Sequence, residues 1–204
     1  MATKIYRRIS KIIIFILSLI PVGWLVYAIY SDTLFGTKFM TADPIQKLDR
    51  ELGDWALIFI ILSLGIRPVA TLLKKNKLLA YRRMIGLFAF FYVCLHLISY
   101  IGLNLQFDFN ELIKDIYKRN FITVGVIAFI FLIPLAITSN KFMLKWIGGH
   151  NWKKLHMLIY PIALLGVFHF FMMVRADFSK PLIYLFIILI LFGYRFWIKY
   201  KKFA

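Results

Sequence analysis

Cysteine occurs once in the 204 residues, as Cys94, so no disulfide can form within the chain. Acidic residues are also scarce, nine in all, and none falls inside a long apolar run. An intramembrane proton relay would draw on Asp or Glu, so that chemistry has no support here. Zinc and copper sites need three or four N, S or O ligands, and the apolar runs do not supply them. The chain contains no low-complexity tract, no convincing internal repeat and no connecting segment long enough for a soluble domain. No small-residue cleavage site follows the first apolar run, so that run is retained as a helix and is not read as a signal peptide.

What the chain does have is hydrophobicity. Hydrophobic residues make up 62% of it and the mean hydropathy is +0.79, well above the roughly 45–50% apolar content of soluble domains. Six runs stand out, at 12–30, 55–73, 84–107, 121–138, 155–174 and 181–198. Each has the ~20 residues a helix needs to cross a bilayer. The prediction is an all-α integral membrane protein: a single domain over 1–204, built as a six transmembrane helix bundle. Charge sets its orientation. With the N-terminus inside, 18 of the 26 Lys and Arg residues fall on the inner side, while the other eight share the outer side with all nine acids. By the positive-inside rule both termini are cytoplasmic. The net charge of +17 then reads as a basic face against anionic lipid headgroups, with the lipid bilayer as partner and no nucleic acid.

Between the first two runs, Asp43-Pro44 marks a turn or helix start. Ile45, Leu48 and Leu52 then fit either a short amphipathic helix on the outer surface or ordinary loop packing. Arg67, at the inner end of the second run, can snorkel to the headgroups.

Four histidines remain, and three lie in the apolar runs. At a rise of about 1.5 Å per residue, His96 lies roughly 18 Å above the inner end of its helix and His169 roughly 21 Å above the inner end of its own. The two are level in the outer half of the bilayer, whereas His156 lies about 20 Å below His169. An imidazole from each of two facing helices suits the axial positions of a heme iron. Phe88, Phe91, Tyr92, Phe168, Phe170 and Phe171 offer an apolar aromatic slot for its macrocycle. The alternative is that His96 and His169 only hydrogen-bond neighbouring helices.

The stretches YRRMIGLFAFFYVCLHLISY, TSNKFMLKWIGGHNWKKLHMLIY, VFHFF and ADPIQKLDRELGDWAL, in chain order over about residues 42–195, resemble the MsrQ (YedZ) family. This is the heme-binding membrane subunit of a bacterial periplasmic methionine-sulfoxide reductase system, with a ferric-reductase-like transmembrane domain. The resemblance implies a multi-pass protein of the bacterial inner membrane that acts as an electron-transfer subunit and not as the catalytic subunit. It would carry one or two b-type hemes and FMN as a further cofactor. Electrons would pass from the quinone pool or a cytoplasmic flavin reductase to a periplasmic molybdopterin-containing reductase that repairs oxidised proteins. Other readings are a ferric or oxygen reductase acting at the outer heme, and a non-redox transporter or scaffold with structural histidines.

Carried over position by position, the resemblance implies His96, His156 and His169 as heme-iron ligands. The lower histidine that related oxidases place before His96 is replaced here by Arg82 and Arg83. On an ideal helix His156 is about 140° from the face of His169, an offset that a kink at Pro161 can change. His150 either folds back as a ligand or is solvated. Arg82 is about 40° from the face of His96. Arg82 and Arg83 either bind a cofactor anion, such as a heme propionate, an FMN phosphate or a semiquinone, or anchor the inner interface. Arg175 is the corresponding outer candidate, for propionates or for the partner. Met172 and Met173 read as packing.

Overall fold

The computed structural model describes residues 2–201; Lys202, counted above on the inner side, lies outside them, as do the side chains of Lys4 and Lys199. The helices are α1 (Ala2–Phe35), α2 (Pro44–Leu72), α3 (Arg82–Ser99), α4 (Phe109–Lys118), α5 (Asn120–Ile137), α6 (Lys141–Ile147), α7 (Gly149–Leu155), α8 (Ile159–Met173) and α9 (Ser179–Tyr200). A 3₁₀ turn over Asn76–Tyr81 leads into α3, a π turn over Tyr100–Asn104 extends it, and a 3₁₀ turn over His156–Leu158 joins α7 to α8. No strand occurs among the described residues. Six stretches are long and apolar enough to cross a membrane: Ile5–Phe35, Pro44–Leu72, Asn76–Asn104, Asn120–Ile137, Gly149–Met173 and Ser179–Ile198. The protein is therefore an all-α, multi-pass membrane protein with six spanning helices.

Local chemistry explains the boundaries. The Asp43 carboxylate accepts the Gln46 N–H at 2.9 Å, and Pro44 occupies the first helical turn, where its missing N–H costs nothing. From there α2 runs unbroken to Leu72. The Ile45–Leu48–Leu52 pattern thus belongs to the first turns of a spanning helix, and the separate surface helix considered from the sequence does not form there. An amphipathic helix does form at α4, within a stretch read only as a connecting segment. Asp108 caps it by accepting from Asn110 N and Glu111 N, and Glu111 and Lys118 sit at the ends that the helix dipole favours.

Pro21, Pro68, Pro134 and Pro161 fall inside spanning stretches, and at three of them the break has a visible consequence. Proline lacks the N–H that would bond the carbonyl four residues earlier. Near Pro21, the buried Tyr92 hydroxyl enters the α1 ladder, donating to Ser18 O at 2.8 Å and accepting from Val22 N at 3.2 Å. Pro68 frees the Leu64 carbonyl, which accepts instead from Arg195 Nη2 at 2.7 Å. Upstream of Pro161 the chain tightens into the 3₁₀ turn at His156–Leu158, so the 155–174 run is not one continuous α-helix and α8 starts at Ile159.

Cross-helix bonds show an up-and-down bundle. Asn104 of the π turn and His96 near the end of α3 bond Asp49 near the start of α2, and Lys180 at the start of α9 pairs with Asp54 of α2 at 2.9 Å. His169 late in α8 meets Phe121 at the start of α5. At the opposite end Ser10 of α1 bonds Tyr81, Thr138 after α5 bonds His156, and Arg195 of α9 bonds Tyr160 of α8. Helix α2 packs most closely on α3, and α5 on α8. Leu64, Tyr92, Ile162, Ala163, Val167 and Ile188 are essentially unexposed and form the centre of the core. Phe59 stacks on Tyr92 with ring centres 5.1 Å apart, so that aromatic face closes the α2–α3 seam.

Candidate functional site

His96 and His169 are brought together, with ring centres 6.2 Å apart and planes at 79°. Each is fixed by a main-chain carbonyl of a different helix. His96 Nδ1 bonds Asp49 O at 2.9 Å, and His169 Nδ1 bonds Phe121 O at 2.6 Å. A carbonyl can only accept, so Nδ1 carries the proton in both rings and Nε2 keeps its lone pair. A metal-binding histidine is oriented in this way. One helical turn after each carbonyl is a glycine. A Cβ on Gly53 would lie 3.5 Å from His96 Nδ1, and one on Gly125 would lie 3.0 Å from His169 Nδ1. The two rings thus lie against helices that carry no side chain at the contact. Ring centres 6.2 Å apart are close enough for one metal to bond a nitrogen of each ring.

The pair borders a cavity of about 500 Å³ between α2, α3, α5 and α8, within the roughly 300–1,000 Å³ of small-molecule sites. Its deep walls are apolar, with Leu57, Ile60, Val93, Leu132 and Ile162. Asp49, Arg50, Asp54, Tyr100, Asn104 and Arg119 gather its polar lining at the end where α2 begins. The Asn104 amide donates to Asp49, the Tyr100 hydroxyl donates to Asp115, and Arg119 Nε pairs with Asp115 Oδ1 at 3.0 Å. Asp49 Oδ1 is buried with no partner. The π turn brings Tyr100 and Asn104 onto this rim, and α4 adds Leu112 and Ile116 to it.

The aromatic slot differs from the one expected. Of the six aromatics proposed, only Phe170 lines the cavity, together with Phe121 and Phe129 of α5. Phe88 and Tyr92 are buried in the core against Phe59, while Phe91 and Phe168 are exposed on the outside of the bundle. Neighbours in a helical sequence are about 100° apart, so residues flanking a histidine turn away from its face. Met173 lines the cavity, and Arg175 is exposed beyond α8 and is not among the lining residues.

His156 is not in this cavity. Its ring stacks on Trp152 with centres 3.9 Å apart, and Nε2 lies 3.1 Å from Thr138 Oγ1. The Thr138 hydroxyl gives its only proton to Pro134 O at 2.6 Å, so it accepts from His156 and Nε2 carries the proton there. This is the reverse of the other two histidines. Arg82 and Arg83 begin α3 at the same end of the bundle as His156, and none of the three lines the cavity. His150 is exposed on α7.

Among the described residues, no group of three or more His, Cys, Asp or Glu side chains gathers to hold a bare metal ion. Two imidazole nitrogens beside an apolar cavity with a polar rim fit a metal whose remaining positions are filled by a planar macrocycle. A heme would meet those terms, held by His96 and His169. Sequence reasoning missed Gly53, Gly125, Arg50 and Arg119. The glycines carry a signal in their spacing, since small residues mark close approach in membrane bundles. The two arginines carry one in flanking apolar runs on the acidic side.

Residues 51–167 match the family described as ferric reductase like transmembrane component. The protein-methionine-sulfoxide reductase heme-binding subunit MsrQ of Rhodospirillum rubrum is 45% identical over 181 residues, 87% of this chain and 82% of that protein. Its counterpart in Caulobacter vibrioides is 45% identical over 177 residues, 87% of this chain and 81% of that protein. The magnetosome protein MamZ of Magnetospirillum gryphiswaldense is 39% identical over 195 residues, covering 95% of this chain and 30% of that protein.

Proposed function

Because the chain belongs to the MsrQ family of ferric-reductase-like membrane proteins, we propose that it is a b-type heme subunit that passes electrons across the bacterial inner membrane to a methionine-sulfoxide reductase. The observation that carries this reading is the His96–His169 pair, its rings 6.2 Å apart and both Nδ1 atoms tied to main-chain carbonyls. The heme supplies one-electron chemistry when bound, and the protein contributes ligation, orientation and insulation. His96 and His169 would hold the iron. Arg50 and Arg119 at the rim offer cations to its carboxylates. With both imidazoles given to the iron, the site would serve electron transfer in preference to reduction of a substrate bound there.

The basic end, with Arg82, Arg83 and His156, faces the cytoplasm and receives electrons from the quinone pool or a flavin reductase, with FMN as a further carrier. The acidic end faces the periplasm, where Arg175 and the exposed side of α4 meet a molybdopterin-containing reductase. The test is the reduced-minus-oxidised optical spectrum of the purified protein. His96→Ala and His169→Ala should each abolish the Soret band; unchanged spectra in both would sink the ligand assignment, and no Soret band in the wild type would sink the redox reading.

A further inference from the structure

Helix α4 helps to close the histidine cavity, yet only part of its apolar face is used in doing so. In helical projection Leu112, Ile116, Phe109, Ile113 and Tyr117 follow one another across an arc of about 140°, with no polar residue among them. Leu112 and Ile116 line the cavity. Phe109, Ile113 and Tyr117 make up the rest of the arc and are exposed, at 62%, 54% and 83%. Asn110, Glu111, Lys114 and Lys118 fall outside the arc and are exposed as well.

The helix cannot leave the ends of the spanning helices. Only Arg119 separates it from α5, and four residues separate it from the π turn. Lys118 therefore stays within roughly 7 Å of the first residue of α5. The Thr123 hydroxyl of α5 donates to Ile116 O, and the Tyr100 hydroxyl of the π turn donates to Asp115. Between the π turn and α4, Gln106 and Phe107 take positive φ, 49° and 64°. Residues with side chains sustain that conformation where their surroundings over-determine it. The Phe107 ring lies against Gly102, where a Cβ would stand 3.3 Å from it. Leu103 and Phe107 are themselves exposed, so bare apolar surface continues from the end of a spanning stretch into the start of α4.

That continuity identifies what covers the stripe. A spanning helix ends where hydrocarbon gives way to headgroups. A helix tied to that level at both ends, apolar on one face and charged on the other, has the form of an interfacial helix. Tyr117, the most exposed residue of the stripe, is of a kind enriched at that boundary. We propose that α4 lies on the bilayer, with Phe109, Ile113 and Tyr117 seated at the boundary between headgroups and acyl chains, and that the lipid so holds in place the helix that covers the cavity. Glu111 and Lys118 stay in water, open to a protein partner. The seating depends neither on the histidine pair nor on a bound heme, so it stands or falls apart from the redox reading.

The test places the full chain carrying Cys94→Ser in phosphatidylcholine nanodiscs, with one nitroxide label introduced through Ile113→Cys, Tyr117→Cys, Glu111→Cys or Lys118→Cys. All four side chains are exposed, so the label displaces no packed group. Electron paramagnetic resonance compares relaxation by oxygen, which partitions into lipid, with relaxation by a water-soluble nickel complex. The ratio of oxygen to nickel effect should be several-fold higher for the labels replacing Ile113 and Tyr117 than for those replacing Glu111 and Lys118. Similar ratios at all four positions would overturn the seating and leave the stripe as a face for a protein. Ile113→Lys, with Cys94 retained, tests the holding by hydrogen exchange in the same nanodiscs. Amides of residues 100–118 should exchange several-fold faster than in wild type, with those of α2 and α8 unchanged. Exchange of residues 100–118 at the wild-type rate would overturn the role of lipid in holding the cover.

Discussion

Gly125 of α5 lies directly against the imidazole of His169, so closely that a Cβ there would stand 3.0 Å from Nδ1 and 3.1 Å from Cε1. Gly53 of α2 relates to His96 in the same way with more room, at 3.5 Å. The first distance is below ordinary van der Waals contact and the second is within it.

Gly125→Ala should therefore push His169 off the Phe121 carbonyl and lower heme content several-fold, while Gly53→Ala should retain most of it. The ratio of Soret absorbance to protein measures both. A Gly53→Ala protein that loses more heme than Gly125→Ala would contradict the packing described.

His156 is the second comparison. Its Nε2–H is committed to Thr138 and its ring to Trp152. His156→Ala should leave the Soret band of the purified protein in place, in contrast to His96→Ala. Electron delivery from a cytoplasmic-side donor should slow, as followed by the rate of heme reduction. Loss of the Soret band in His156→Ala would make it a ligand.

Tyr92→Phe removes the hydroxyl that serves both Ser18 O and Val22 N beside Pro21. Leaving a buried polar group unsatisfied costs about 1–3 kcal/mol. The expected result is a lower unfolding midpoint with an unchanged heme spectrum, because Tyr92 does not line the cavity.

Asp115→Asn weakens the anchor that Tyr100 and Arg119 share at the rim. Asp115 is 3% exposed, and disturbing such a buried acceptor costs about 1–3 kcal/mol. The rim should open, and faster bleaching of the bound heme by a water-soluble oxidant is the measurement. An unchanged bleaching rate would show that α4 does not guard the cavity.

The spans were readable because apolar runs of the right length are what a bilayer demands, and His96 and His169 stood out as titratable groups at equal depth. The walls of their site were not readable. Phe91 and Phe168 flank the ligands in sequence but turn outward, whereas Phe129 of α5 lies far from both histidines in sequence and lines the cavity. Local spacing fixes the phase within one helix and is silent about which face a neighbouring helix presents. Helix α4 was missed for a related reason: its amphipathic pattern is short, and its apolar edge has meaning only against the cavity that Leu112 and Ile116 close. Nothing in the sequence distinguishes Arg195 from the other inner-side cations, because its partner, the Leu64 carbonyl freed by Pro68, lies on another helix.

The two Nδ1 bonds end on peptide oxygens, and every amino acid at positions 49 and 121 has one. Side-chain substitution at those positions cannot delete the acceptors, so the orientation of both imidazoles is protected from mutation. For the heme iron proposed above, adjustment of the reduction potential would fall to charges around the rim, where Arg50, Asp49 and Arg119 can be exchanged without touching His96 or His169.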